Sequence, residues 1–422
     1  MRRVAVVGGG ISGLVAAYRL RRLLGADLSL TIFDPAIGGK LHTVELAGEP
    51  LDVGAEAFVG RRPEVPALLA ELGLSDQLVR PAGLRPLLWA GGRAHPLPGR
   101  TLMGIPSAGA DVAGLVTDAS RVDAEVDAPQ WDSGDVSVAD LVAPRFGADV
   151  VARSVDPLLG GVYSGTAETI GVRAALPTLA AALDAGAPTL RDAVATALPP
   201  PSTAPVFGAL RDGYRALTAA LLAASGADVV GEKVTRLDEL ADYDGVVVAV
   251  PAPVAARLLD FVPVIPVASS AVVALAFSPD VRLPEHSGVL VATGEALQAK
   301  AFTFSSRKWS HLGHRSVVRA SFGRYGAPPD SSDTTLIAGA RADLETVAGV
   351  AAEPIDAVVM RWPEGLPQYR PGHLDVVAAI EAAAARVDRL EVAGSYLRGV
   401  GVPACVASGD AAAQRLARAM AR

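Results

Sequence analysis

An α/β fold is what this sequence predicts, and three observations carry the prediction. A wholly apolar run, Val4-Ala5-Val6-Val7, leads straight into a glycine cluster and then into a stretch with helical spacing. A second apolar-rich run, Leu28 to Phe33, follows and ends on an acid, Asp34. Two further runs of buried-strand character, Gly245 to Val250 and Leu390 to Ala393, recur far downstream. Neither has a complete phosphate fingerprint of its own, so both are expected to join the N-terminal sheet, which makes that sheet discontinuous in sequence.

The first element, Val4 to Val7, reads as a parallel strand covered on both faces. Gly8-Gly9-Gly10-Ile11-Ser12-Gly13 is the turn, and Leu14, Ala17, Leu20 and Leu24 give the helix its apolar stripe. From Gly13 to Asp34 is 21 residues, close to the spacing of a Rossmann-like unit. In that geometry Gly8 allows the tight turn, Gly10 lets the backbone approach a pyrophosphate, and Gly13 lets the helix pack on the strand. Phosphates would lie at the helix N-terminus, and Asp34 would accept hydrogen bonds from a ribose. The doublet Gly38-Gly39, followed by Lys40, and the run Val53-Gly54-Ala55-Glu56-Ala57 fit the longer FAD, which needs further close backbone approaches; an ordinary turn and hairpin is the alternative.

Composition narrows the function. The chain has 422 residues with 38 basic and 45 acidic side chains, a net charge of −7, which lacks the footprint of a general nucleic-acid binder. Only four of the basic residues are lysines, Lys40, Lys233, Lys300 and Lys308, a bias expected of a GC-rich genome. No run of about 18 lipid-compatible residues occurs, and Val4 to Val7 is too short for a secretory signal, so a cytoplasmic protein is expected. Cys405 is the single cysteine, which excludes an internal disulfide; it reads as a packing residue, so the FAD is expected to be non-covalent. His311 and His314 lack the other elements of a zinc motif, so no metal is expected.

Several blocks then carry a resemblance. The fingerprint with its doublet resembles the flavin amine oxidase superfamily. Arg85 to Pro98, Met103 to Pro106, Pro157 to Gly165, Phe302 to His311, Arg361 to His373 and Ala393 to Gly409 narrow it to the protoporphyrinogen and coproporphyrinogen oxidase branch, whose members in GC-rich Gram-positive bacteria, an origin the composition agrees with, are similar to coproporphyrinogen III oxidases. The resemblance implies an FAD-binding domain from residues 1–80, 209–265 and 375–422, a sheet-based substrate domain from 81–97 and 266–374, and a helical insert at 98–208. It implies oxidation of a porphyrinogen by removal of six electrons in three flavin cycles, with O2 as acceptor and H2O2 as product. A downstream ferrochelatase and a peripheral membrane contact are the further partners it allows. The alternatives are protoporphyrinogen IX oxidation, an amine or polyene oxidase of the superfamily, or a non-catalytic FAD or tetrapyrrole binder.

Residue by residue, the resemblance assigns Gly8, Gly9, Gly10, Ile11, Ser12, Gly13, Asp34, Gly39, Lys40, Gly54, Ala55, Glu56 and Ala57 to the cofactor. Val234, in a short stretch read as β-rich, is expected to meet the adenine through its backbone, or else to be an ordinary strand valine. Gly401, Val402 and Pro403 precede a helix expected near Ala404 that would face the flavin, and Trp362 is expected near it. Substrate candidates are Arg61 and Lys308, which can hold propionates, and Phe304 and Trp309, which can offer flat surfaces. No single acid-base residue stands out, because the cofactor carries the chemistry. Between 98 and 208, Thr178 to Asp184 and Thr189 to Leu198 read as helices, Asp123 to Asp135 as an acidic loop, and Pro199 to Ser202 as a break.

Overall fold

The computed structural model describes residues 2–124, 131, 134–200, 202 and 205–421. Most of the Asp123 to Asp135 loop, and Pro201 of the proline break, lie outside the described residues. By contact the chain divides into two compact units: residues 1–80, 205–267 and 374–422, and residues 81–204 and 268–373. The helices at 98–208 and the long sheet thus fall in one unit.

The first unit is built on a five-stranded sheet in the order Asp228–Val230, Leu28–Phe33, Arg2–Val7, Gly245–Val248, Leu390–Val392. Every pairing is parallel, and both downstream runs join the N-terminal strands as the sequence predicts. Wholly buried Val4 to Val6 explain the absence of alternation, since helices cover both faces. On one face lie helices Ile11–Leu24, Tyr214–Ser225 and Val402–Met420, whose Leu14, Leu20, Tyr214, Leu217, Ala413 and Leu416 share one core. On the other, Val377, Ile380, Ala255 and Leu259 pack beneath Ala5 and Val248. The buried carboxylate of Asp52 accepts from the Tyr214 N–H and thereby caps helix Tyr214–Ser225, whose N-cap is Gly213. One local expectation fails: Lys233 to Arg236 is not a strand, for the short strand ends at Val230. Val234 instead buries its side chain in the second core while its backbone runs free of the sheet ladder.

The second unit centres on a seven-stranded sheet ordered Asp356–Pro367, Val267–Phe277, Ser316–Phe322, Ala301–Thr303, Gly288–Val291, Leu87–Ala90, Arg93–Pro96. Helix Asp333–Ala348 packs Leu336, Ala340 and Leu344 into its core with Phe302, Phe304 and Phe322. The expected helices are present as Pro177–Asp184 and Leu190–Ala197, the latter capped by Thr189, whose hydroxyl accepts from the Asp192 N–H.

Candidate flavin site and the substrate unit

In the first unit the glycines of the fingerprint do different jobs. Gly8 has φ +105, and a Cβ there would lie 2.6 Å from the Ala249 carbonyl oxygen. At Gly13 a Cβ would lie 1.9 Å from the Gly8 carbonyl oxygen, so helix and turn meet backbone to backbone. Around Gly10, by contrast, a Cβ would meet nothing within 4 Å. The protein therefore leaves space at the one glycine expected to admit a pyrophosphate.

The rest of this site is tied to that turn. Gly38 donates to the Gly9 carbonyl at 2.9 Å, and a Cβ at Gly39 would sit 3.2 Å from the Gly10 Cα, so the second glycine doublet lies against the fingerprint itself. Asp34 Oδ2 accepts from Gly9 N–H at 2.6 Å, and its Oδ1 accepts from Ala36 N–H at 2.9 Å. The acid thus shapes the turn as well as standing where a ribose would need an acceptor. Ala55 N–H donates to the Lys40 carbonyl, which brings the segment from Gly54 to Ala57 alongside. Burial holds the Lys40 ammonium below the usual lysine range.

Two helix N-termini complete the arrangement. Helix Ile11–Leu24 follows its cap Gly10, and helix Val402–Met420 follows its cap Gly401, starting two residues before the expected Ala404. Neither cap makes a side-chain hydrogen bond, and neither first turn carries an acid. Both ends therefore keep their partial positive charge for an external anion or carbonyl. The ends are bound together: Ser12 Oγ donates to the Cys405 carbonyl at 2.9 Å, and a Cβ at Gly409 would lie 2.2 Å from the Ser12 carbonyl oxygen. Cys405 is buried, and burial pushes its thiol up to about 11. Open backbone at Gly10, uncapped helix ends and an acid at Asp34 are the parts a flavin dinucleotide requires, so the residues fit the group.

The candidates in the second unit are placed less openly. Phe304 and Trp309 are fully enclosed, Phe304 among the sheet's core residues, so neither ring offers the expected flat surface. The Trp309 Nε1–H is buried with no partner among the described residues. Lys308 places its ammonium 5.0 Å from the Trp309 ring centroid. Trp362 lies on strand Asp356–Pro367 of this unit; the other flavin candidates belong to the first. Arg61 is exposed in the first unit, whereas its neighbour Arg62 pairs with Glu64.

One buried cluster of this unit was not anticipated. Lys300 donates to Ser164 Oγ and, at 2.7 Å, to the Gly323 carbonyl; burial, with Arg324 adding to it, lowers its pKa to about 7. Asp156 accepts from Ala167 N–H and from Thr293 Oγ1, and it offsets part of the charge of Arg324. The only sequence signal was a lysine among apolar neighbours, in a chain with four lysines.

The sheet, the glycine turn and the uncapped helices define a flavin oxidoreductase: the chain belongs to the flavin-containing amine oxidoreductase family, whose sequence model matches residues 11–417. Within that class it is 52% identical over 445 aligned positions to the coproporphyrinogen III oxidase of Mycobacterium tuberculosis, covering 99% of this chain and 98% of that one. It is 28% identical to the coproporphyrinogen III oxidase of Bacillus subtilis, with 97% of each covered. Among solved structures, a protein described as a protoporphyrinogen oxidase from Exiguobacterium sp. superposes with TM-score 0.87 at 26% identity over 99% of both chains. Cyclohexylamine oxidase from Brevibacterium oxydans, at 15% identity and TM-score 0.69 over the full length of both, shares the fold.

Proposed function

We propose that this chain is an FAD-dependent coproporphyrinogen III oxidase of haem biosynthesis, acting in the cytoplasm with O2 as acceptor and releasing H2O2. The observation that carries the reading is the 52% identity, over nearly all of both chains, to the mycobacterial coproporphyrinogen III oxidase. A porphyrinogen must lose six electrons to become a porphyrin, and non-covalently bound FAD would accept them two at a time and pass them to O2.

The work of the chain's own residues is to bind and orient. Gly10 leaves room for a pyrophosphate, Asp34 would accept from a ribose, and the N-terminus of helix Val402–Met420 would favour negative charge on a bound flavin. Arg61, exposed, is the candidate for a propionate, with Lys308 beside it in role. Four propionates in a protein of net charge −7 call for such groups.

Two measurements test the reading. Gly10→Val should give a folded but colourless protein, because the added side chain meets only the space kept for the cofactor; retention of stoichiometric flavin would sink the assignment. Coproporphyrinogen III and protoporphyrinogen IX, followed by porphyrin fluorescence at low and high salt, should differ. The tetracarboxylate should show the higher kcat/KM and the steeper rise of KM with ionic strength. Equal efficiency and equal salt dependence would leave a porphyrinogen oxidase without that preference.

A further inference from the structure

Ser12 carries the one polar side chain of the glycine fingerprint and is 5% exposed. Its hydroxyl hydrogen is committed to another element, for Oγ donates to the Cys405 carbonyl, 393 residues on. The bond lies at a close crossing of two helices. One turn beyond Cys405, a Cβ at Gly409 would meet the Ser12 carbonyl oxygen at 2.2 Å. Ser12 is the second residue of helix Ile11–Leu24 and Cys405 the fourth of helix Val402–Met420, so the crossing falls at the start of both.

Cys405 is held at a second point. Its thiol, which burial keeps protonated, lies 3.9 Å from the Gly399 carbonyl oxygen and 3.8 Å from that of Val400, within reach of a sulfur donor. A trans peptide is planar, with its C=O and N–H on opposite sides. Carbonyls turned towards Cys405 therefore turn the next two N–H groups, those of Val400 and Gly401, away from it. Neither N–H has an acceptor among the described residues. The loop packs tightly on the helix that follows it: a Cβ at Gly399 would lie 2.5 Å from the Ala404 Cβ. The Lys40 ammonium is the positive charge that acts on the Cys405 thiol. Two outward backbone donors, an uncapped helix end and a cation together favour negative charge.

We propose that Ser12 is a positioning residue for the redox end of the flavin: its hydroxyl anchors Cys405, and with it the backbone donors of 399–401, to the turn that admits the pyrophosphate. The proposal rests on the flavin reading of this site and is independent of which substrate is oxidised. Donors fixed in advance favour negative charge without reorganising, and a flavin is more negative reduced than oxidised. Loss of the tether should therefore weaken the reduced form more than the oxidised one, whereas loss of a bond that only steadies the fold should weaken both alike.

The test uses the full-length protein loaded with FAD and two variants. Ser12→Ala should bind oxidised FAD about threefold more weakly, on the low side of one lost hydrogen bond. Its reduced form should lose about tenfold more, read as a flavin potential about 30 mV more negative in a dye-equilibrated titration of the two-electron couple. Ser12→Thr keeps the hydroxyl and should return both values towards those of the parent. Amide hydrogen exchange at Cys405, whose N–H donates to the Gly401 carbonyl at 3.0 Å, should be faster in Ser12→Ala with or without FAD. An unchanged potential in Ser12→Ala would overturn the proposal, even if FAD affinity and unfolding temperature both fell, because that pattern marks a bond serving the fold alone. A potential lowered as far in Ser12→Thr would overturn it too, since the hydroxyl would then be irrelevant. If the parent protein takes up no flavin, the flavin reading fails; the exchange rate at Cys405 still decides the tether, and an equal rate in parent and Ser12→Ala would overturn it.

Discussion

The glycine turn of the first unit and the serine turn of the second both hold backbone in the left-handed region, yet they do it by opposite means. At Gly8, φ +105, the conformation is available because there is no side chain, and the neighbouring backbone leaves no room for one. At Ser164, φ +50, a side chain is present and the conformation is imposed by groups as far away as Lys300, 136 residues on. Geometry that excludes a side chain writes itself into the sequence as glycine. Geometry that is held by side chains arriving from elsewhere leaves no local mark.

The largest effect that contrast predicts is at Gly13. A Val there would drive its Cβ to 1.9 Å from the Gly8 carbonyl oxygen, backbone that cannot yield, so soluble folded protein should be lost; a cooperative melt from purified Gly13→Val would break the comparison. In the second unit the core is the sensitive part. Phe304→Ala should cost about 3–5 kcal/mol in a urea titration, since the ring is fully buried. A loss below about 1 kcal/mol would mean that the sheet core refills the space.

Asp34→Ala sharpens the comparison within the glycine turn. It removes the acceptor of the Gly9 N–H along with the expected ribose contact, and FAD should bind about 1.5–3 kcal/mol more weakly, ten- to a hundredfold in a fluorescence titration. Unchanged affinity would assign the ribose to another residue. Lys300 gives a pH signature in place of a binding one. Its folded pKa of about 7 lies below the ordinary 10.5, so between those values the unfolded chain holds a proton that the folded chain does not. Stability should therefore rise with pH through that window and be flat below it, and Lys300→Met should remove this rise from the melting curves. Smallest is Arg61→Ala: the exposed side chain should be worth less than about 0.5 kcal/mol to folding. The KM for coproporphyrinogen III should rise nonetheless, and a constant KM would remove Arg61 from the substrate's surroundings.

Much of the first unit was legible because its information is local. Val4 to Val7, the glycine spacing and Asp34 lie within one βαβ unit, and Gly245 to Val248 and Leu390 to Val392 are apolar enough to be read as buried strands. The misread stretch, Lys233 to Arg236, is polar and short, and nothing in four such residues separates a strand from extended loop. In the second unit Phe304 and Trp309 were visible as aromatics, but whether a ring faces a ligand or a core depends on the partners that helix Asp333–Ala348 and the neighbouring strands bring. Lys300 and Arg324 were hidden for the same reason: their burial is a property of tertiary packing alone.

The buried Cys405 bears on how long such an enzyme would last. It is the thiolate that attacks peroxide, and a group pushed up to about 11 is almost wholly thiol at neutral pH. The chain's one cysteine, enclosed at the start of the C-terminal helix, is thereby kept out of the reaction that the proposed turnover would invite three times for every porphyrin made. Oxidative wear would fall first on other side chains, and no thiol reductant would be needed to restore this one.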